Sequence, residues 1–342
     1  MAEPAFDLAS AYAEAAKAFG GAAPPLPAAN NPPPSQLYTF QTYTPPGQPS
    51  FFLYDDPATD LAALPAVAPN FGLRPGVSWK HVVDEVRRLN EDEESQKSGA
   101  VYKLIFLGRH GQGNHNVAES KYGTEAWDAK WSFLNGDNEL VWGPDPLLTT
   151  LGESQADDVN EEWRARLHDP NITDEQARPP IPTRLYVSPF SRALETAKRT
   201  YKGLPGVPSY QLIMEGLRET IGGHTCDMRS PKKVIAERYP EPGFVIEPGF
   251  MDGDFLFSPI VRETDQQVVD RLRETLSRIF GPASGAEGKP KDVASSEGAQ
   301  VIGITVHSGV MQAVFQLTGH RFFTPKTGAL VPLILKAVPA KK

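Results

Sequence analysis

The chain has one cysteine, Cys226, so no intrachain disulfide can form and no paired-cysteine metal motif can exist. That agrees with a reducing compartment. Long apolar runs are also missing, and no uninterrupted stretch is long enough to cross a bilayer. The opening residues, MAEPAFDLASAYAEAAKAF, start acidic and are interrupted by Asp7, Glu14 and Lys17. They lack the basic n-region and apolar h-region of a signal peptide, so a cytoplasmic protein with no transmembrane segment is expected. Positive charge is in short supply: 34 Lys and Arg stand against 42 Asp and Glu, a formal net charge of -8. Such a surface does not attract polyanions, and nucleic acid is not expected as a partner. A small anion is a different matter, because a few arginines in a cleft set the local potential there.

What is present is the composition of a soluble globular protein, with 40% hydrophobic and 22% charged residues over 342 positions. That length suits one large α/β domain or two small ones. Residues 20–49 are crowded with proline, alanine and asparagine and read as extended and irregular. A short amphipathic helix is expected over residues 6–19, and another from Trp79 to about Leu89, where Val82, Val83, Val86 and Leu89 recur at helical spacing. Residues 1–98 are expected to be an extension packed on a core domain of residues 99–342.

The core opens with an apolar strand over residues 102–107 that runs into Gly108-Arg109-His110-Gly111. A helix follows Thr149 or Thr150, with Glu153 completing a capping pattern and Ala156, Val159, Trp163 and Leu167 on one face. Next come a short strand over residues 184–188, a helix begun by Ser188-Pro189, and a third helix carrying Val268, Leu272, Leu276 and Ile279. Residues 281–300 have no apolar periodicity and read as a mobile surface loop. A β-branched strand over residues 301–306 ends in His307-Ser308-Gly309 and leads into a helix. A last strand over residues 329–335 contains Pro332, which argues for a sheet edge. This order predicts a three-layer α/β/α fold with a mostly parallel sheet and helices on both faces.

His110 and His307 each end a predicted core strand. In an open parallel sheet the carboxyl ends of the strands line one crevice, so the two meet if their strands are neighbours. Chemistry at phosphorus needs a nucleophile, positive groups on the equatorial oxygens and a proton for the leaving oxygen. Arg109 adjoins His110, and Arg192 lies in the first turn of a helix whose free amides would add to its charge. An imidazole with pKa of about 6.5 can attack through an unprotonated nitrogen, given an acceptor for its other N–H.

These segments resemble the histidine phosphatase superfamily, also called the phosphoglycerate-mutase-like proteins. LIFLGRHGQGNHN is similar to its Arg-His-Gly opening, with Arg109 and His110 on the anion-binding arginine and the nucleophile and Asn116 on a frequent polar site residue. DPLLTTLGESQA, residues 145–156, resembles the next element. SPFSRALETA resembles the second arginine motif and puts Arg192 on phosphate. Leu217-Arg218-Glu219 matches the segment of the proton-donating glutamate, and His307-Ser308-Gly309 the second histidine. The resemblance covers about residues 101–336, and these motifs together in this order are far more specific than any one of them. Gln112 and Gly113 stand where many simpler members carry glutamate and serine. LRETIGGHTCDMRS looks more like phosphatase-type members of fungi and plants.

The resemblance implies a histidine-type acid phosphatase. It would be a metal-independent, cofactor-free hydrolase of a small phosphomonoester or diphosphate, acting through phosphohistidine. His110, Glu219 and His307 are its expected catalytic residues, and Arg109, Asn116, Arg192 and His307 its phosphate ligands. Gln112, Gly113, His224 and Ser308 are candidate substrate contacts. A phosphomutase and a noncatalytic phosphate-binding protein are the alternatives. For Glu219 the bland alternative is an ion pair with Arg218 or Arg229. Trp127, Trp131, Phe133 and Trp142 either wall a leaving-group pocket or pack between extension and core. A metal held by His115, His224 and Asp227 lacks compact ligand spacing. Cys226 reads as a small buried hydrophobe. The substrate and the oligomeric state are not legible at this level.

Overall fold

Apolar β-branched and aromatic runs pair into one sheet in a computed structural model of the chain, which describes residues 33–47, 49–283 and 292–341. The helix expected over residues 6–19 lies outside them. Among the described residues the strands are β1 (Tyr38–Thr42), β2 (Val101–Arg109), β3 (Arg184–Val187), β4 (Gln211–Ile213), β5 (Phe244–Ile246), β6 (Val301–Val306) and β7 (Leu330–Pro339). Their spatial order is β1-β7-β2-β6-β3-β4-β5. The block from β2 to β5 is parallel, and β7 runs antiparallel to both β1 and β2. β2 and β6 are almost continuously buried, as expected of parallel strands covered on both faces.

The helices are α1 (Trp79–Glu91), α2 (Glu93–Ser98), α3 (Asn114–Tyr122), α4 (Thr124–Ala129), α5 (Thr150–Leu167), α6 (Ser191–Thr200), α7 (Lys232–Arg238), α8 (Asp265–Phe280) and α9 (Ser308–Thr318). Phe106 of β2 packs on Trp79 of α1 and Trp163 of α5, and α6 lies against α5. α8 and α9 pair on the other face, where Phe280 meets Phe40 of β1 edge-on at 5.3 Å. The result is the three-layer α/β/α architecture. Among the described residues no helix is long and apolar enough to cross a membrane.

Three sequence expectations need correction. β7 is not an edge strand, because β1 adds outside it. Pro332 is tolerated since β1 pairs only with Leu335–Pro339, so beside Pro332 no strand on that side asks for an amide donor. Part of the 20–49 tract is that added strand. The 281–300 stretch is not a surface loop throughout: Ala294, Ser295 and Ser296 are buried. Lys103 of β2 reaches it through the core and donates to the carbonyls of Ser296 and Ala299. Small residues let this segment pack without the periodicity that sequence reading relies on.

Aromatic residues ahead of β2 join the main hydrophobic core. Phe51, Phe52, Tyr54, Phe71 and Trp79 are all buried there. Phe71 meets Trp163 at 4.4 Å and Phe106 at 5.8 Å.

Candidate functional site

Three adjacent strand ends build the site. Arg109 pairs with Val306 and Val187 with Thr305, so His110, His307 and Ser188 emerge side by side. Backbone bonds lock this register: His110 donates to Val306 and Ser188 to Thr305. The rings of His110 and His307 lie 5.1 Å apart, and His115 from α3 lies 5.4 Å from His110. All three are buried.

His110 Nδ1 is 2.6 Å from the carbonyl of Gly111, which can only accept, so Nδ1 carries the proton and Nε2 is bare. Burial, then the charges of Arg192 and Arg109, hold this imidazole well below 6.5, and therefore neutral. Burial and Arg192 act the same way on His115 and His307. His307 Nε2 is 2.7 Å from Ser188 Oγ, while its Nδ1 is buried without a protein partner.

The arginines converge on these rings. Arg109 donates Nη1 to the Pro325 carbonyl at 2.6 Å. Arg192, 1% exposed, donates to the Cys226 carbonyl at 2.7 Å and to Asp227 at 3.1 Å. Nε of both is buried and finds no partner in the protein. A buried guanidinium N–H without an acceptor costs on the order of 1–3 kcal/mol, so these atoms favour an anion. The amides opening α6 contribute less than the sequence suggests, since Asp145 Oδ1 takes the Ser191 amide at 2.8 Å. Ser188 does not cap that helix; its hydroxyl serves His307.

Glu219 sits opposite, at the start of α9. Its Oε2 accepts from the Gly309 amide at 3.1 Å and its Oε1 from the Thr220 amide at 3.0 Å. Burial first, and then the charge of Asp227, raise its pKa above 4.5 against the pull of these amides and of Arg192. It forms no pair with Arg218 or Arg229. Those two are tied instead to Glu215, and Arg218 also binds Asp254 through two bonds of 2.7 and 2.6 Å. Their network fixes the segment that carries Glu219.

Close backbone approaches explain two glycines. A Cβ on Gly309 would collide with Glu219 Oε1, and one on Gly111 with the carbonyl of Gly152, where α5 crosses the loop. Asn116 Oδ1 accepts from the Gly113 amide at 3.0 Å, a capping role for α3. Gln112 Oε1 accepts from Thr149, the N-cap of α5, at 2.9 Å. Gly113 leaves room for the His115 ring, 2.7 Å from where its Cβ would be. Ser308 is the first residue of α9.

His224 is pushed down to about 4 by burial and Arg262, and lies edge-on to Phe133 at 6.0 Å and Trp127 at 6.2 Å. Trp127, Trp131 and Trp142 pack with Tyr122 and Cys226 in a small core of their own rather than between extension and main core. Cys226 is buried, which raises its thiol pKa well above the usual range. His224, Cys226 and Asp227 bring three possible metal-ligand atoms within 4.8 Å of one another. Both Asp227 oxygens are already engaged, by Arg192 and by Arg262 at 3.1 Å each, and those cations compete with a metal.

Sequence reading missed Ser188 as the partner of His307, Asp227 as the counterion of Arg192, and Arg262 altogether. Ser188 and Asp227 lie inside quoted motifs and could have been suspected. Arg262 has no motif around it.

Comparison with protein-family models finds no match. Two curated fungal proteins are similar over most of the chain. One is a "Probable phosphoglycerate mutase" of Arthroderma benhamiae, 36% identical, covering 84% of this chain and 83% of its own length. The other is "Phosphomutase-like protein 3" of Candida albicans, 31% identical, covering 84% and 78%. The solved alpha-ribazole phosphatase of Shigella flexneri aligns with 69% of this chain and 94% of its own, at 16% identity and a TM-score of 0.36. On the strength of the two fungal relatives, the chain belongs to the histidine phosphatase superfamily, the phosphoglycerate-mutase-like proteins.

Proposed function

We propose that the chain hydrolyses a small phosphorylated metabolite through a phosphohistidine on His110, and that no step of this route requires a metal ion. The observation that carries the reading is the tautomer of His110: Nδ1–H is tied to a carbonyl, and a neutral ring presents Nε2 beside two arginines. Attack by Nε2 forms the N–P bond as the P–O bond to the leaving group breaks. Arg109, Arg192 and the Nδ1 side of His307 hold the equatorial oxygens, with the Ser188 hydroxyl donating to His307 Nε2 so that Nδ1 keeps its proton.

Glu219 is the proton donor. Its raised pKa favours the acid form, and the proton passes to the departing oxygen. The resulting carboxylate then takes a proton from water, which attacks the phosphohistidine and releases orthophosphate. The two fungal relatives carry mutase names, and the same residues would serve a mutase in which an acceptor hydroxyl replaces that water. Orthophosphate as the stoichiometric product selects hydrolysis.

The test is a screen of sugar, aryl and inositol phosphates and prenyl diphosphates, with His110→Ala as the blank. A brief reaction with labelled substrate should leave acid-labile phosphate on His110. Full activity in H110A would overturn the mechanism, and intact binding with no turnover on any class would favour a phosphate-binding protein.

A further inference from the structure

The connection between α9 and β7 touches the site at Arg109 and His110. Pro325 in it supplies the carbonyl that receives Arg109 Nη1, and Ala329 and Gly328 bond the backbone of Arg109 and His110 at 2.8 and 2.9 Å. Its other side is held by residues 54–64 of the N-terminal extension, through three basic side chains. Lys326 Nζ donates to the carbonyls of Ala62 and Leu64 at 2.9 and 2.7 Å. Arg321 Nη1 donates to those of Asp56 and Thr59 at 2.7 and 2.8 Å. His320 faces Asp55 Oδ1 with Nε2 at 2.9 Å and the Arg321 carbonyl with Nδ1 at 2.7 Å.

Rings reinforce the clasp. Tyr54 stacks on Phe323, Phe323 on Phe315, and Phe315 on His320, with centroids 5.9, 4.9 and 4.7 Å apart. A cavity of about 20 Å³ lies between the two segments. Four backbone carbonyls of residues 56–64 accept from Arg321 and Lys326, so directed bonds as well as ring packing tie the segment to the connection.

We propose that residues 54–64 are a positioning segment: by clasping His320, Arg321 and Lys326 they set the Pro325 carbonyl, and through it the guanidinium of Arg109. The proposal rests on the reading above that Arg109 holds the transferring phosphoryl group. Asp55 and Lys326 are positioning residues in this scheme and touch no substrate.

A double-mutant cycle on the full chain tests it, with p-nitrophenyl phosphate as probe. Lys326→Met is the first variant, because Lys326 is exposed and its loss spares the core. Asp55→Asn is the second. Each should lower kcat/KM by about three- to tenfold, the worth of one or two hydrogen bonds passed on to Arg109. In an Arg109→Ala background each should have no further effect, since the group they position is gone. Equal fold-losses in both backgrounds, or no loss with Arg109 present, would overturn the proposal. The underlying reading fails separately, if R109A alone leaves turnover unchanged.

Discussion

Replacing Asp227 by asparagine removes the charge that neutralises Arg192 and keeps the shape. Arg192 is 1% exposed, and only neutral acceptors, the Cys226 carbonyl and the new amide oxygen, would face it. Leaving a buried charge without its partner costs about 3–5 kcal/mol. Arg262 adds little to that figure, because its side chain is 27% exposed and water takes over part of its solvation. Unfolding entropy of ~2.1 cal/mol/K per residue gives roughly 0.7 kcal/mol/K for a chain of this length, so Tm should fall by about 4–7 °C. Phosphate should offset part of the loss, since the anion takes the place of Asp227 beside Arg192. Tenfold tighter binding of orthophosphate adds about 1.4 kcal/mol, or ~2 °C, to the stabilisation seen in the parent at the same concentration. Melting curves of parent and D227N at several phosphate concentrations read all three quantities. A variant that melts within about 1 °C of the parent, or gains no more from phosphate, would refute the assignment of Asp227 as counterion.

The pH dependence of turnover follows from two opposed shifts. His110 is held well below 6.5, so activity falls only when pH drops through that depressed value and the nucleophile takes a proton. Glu219 is raised above 4.5, so the acid form is lost as pH rises through its raised value. The optimum should lie between the depressed value of His110 and the raised value of Glu219, and Glu219→Gln should lower kcat and flatten the alkaline limb of a pH–rate profile. An unaltered limb in E219Q would assign it to another group. D227N should move that limb to lower pH, because Asp227 helps raise Glu219. Gly309→Ala pushes a methyl into Glu219 Oε1 and should cut kcat by about tenfold or more with little change in Tm, a split that kinetics and melting curves together would show. Ser188→Ala removes the partner of His307 Nε2 and should weaken orthovanadate binding by about 1–2 kcal/mol, measurable by titration calorimetry.

Several elements were legible because their signals are local. The strand over Val301–Val306 and the α8 helix come from β-branched runs and a 3.6-residue apolar period, which depend on neighbours in the chain alone. Thr149 capping α5 is equally local, bonding the Gly152 amide at 3.1 Å. β4 and β5 escaped notice because three residues each carry no measurable period. The position of β7 escaped because an edge is a property of the sheet, and Pro332 needs only a missing neighbour at its own level.

By itself the amino-acid sequence determined that two histidines would end buried strands, that Arg109 would precede one of them and Arg192 would lie in the first turn of a helix after another strand, and that the layers would be α/β/α. Those follow from hydrophobic period and from motifs whose residues are close in the chain. Only the tertiary structure decided that β2 and β6 are neighbours, which sets His110 5.1 Å from His307. It also decided that Asp227 neutralises Arg192 and that Ala62 and Leu64 receive Lys326, next to the Pro325 carbonyl that holds Arg109. Such pairings join residues dozens to hundreds of positions apart, and their existence depends on which surfaces the packed core brings into contact.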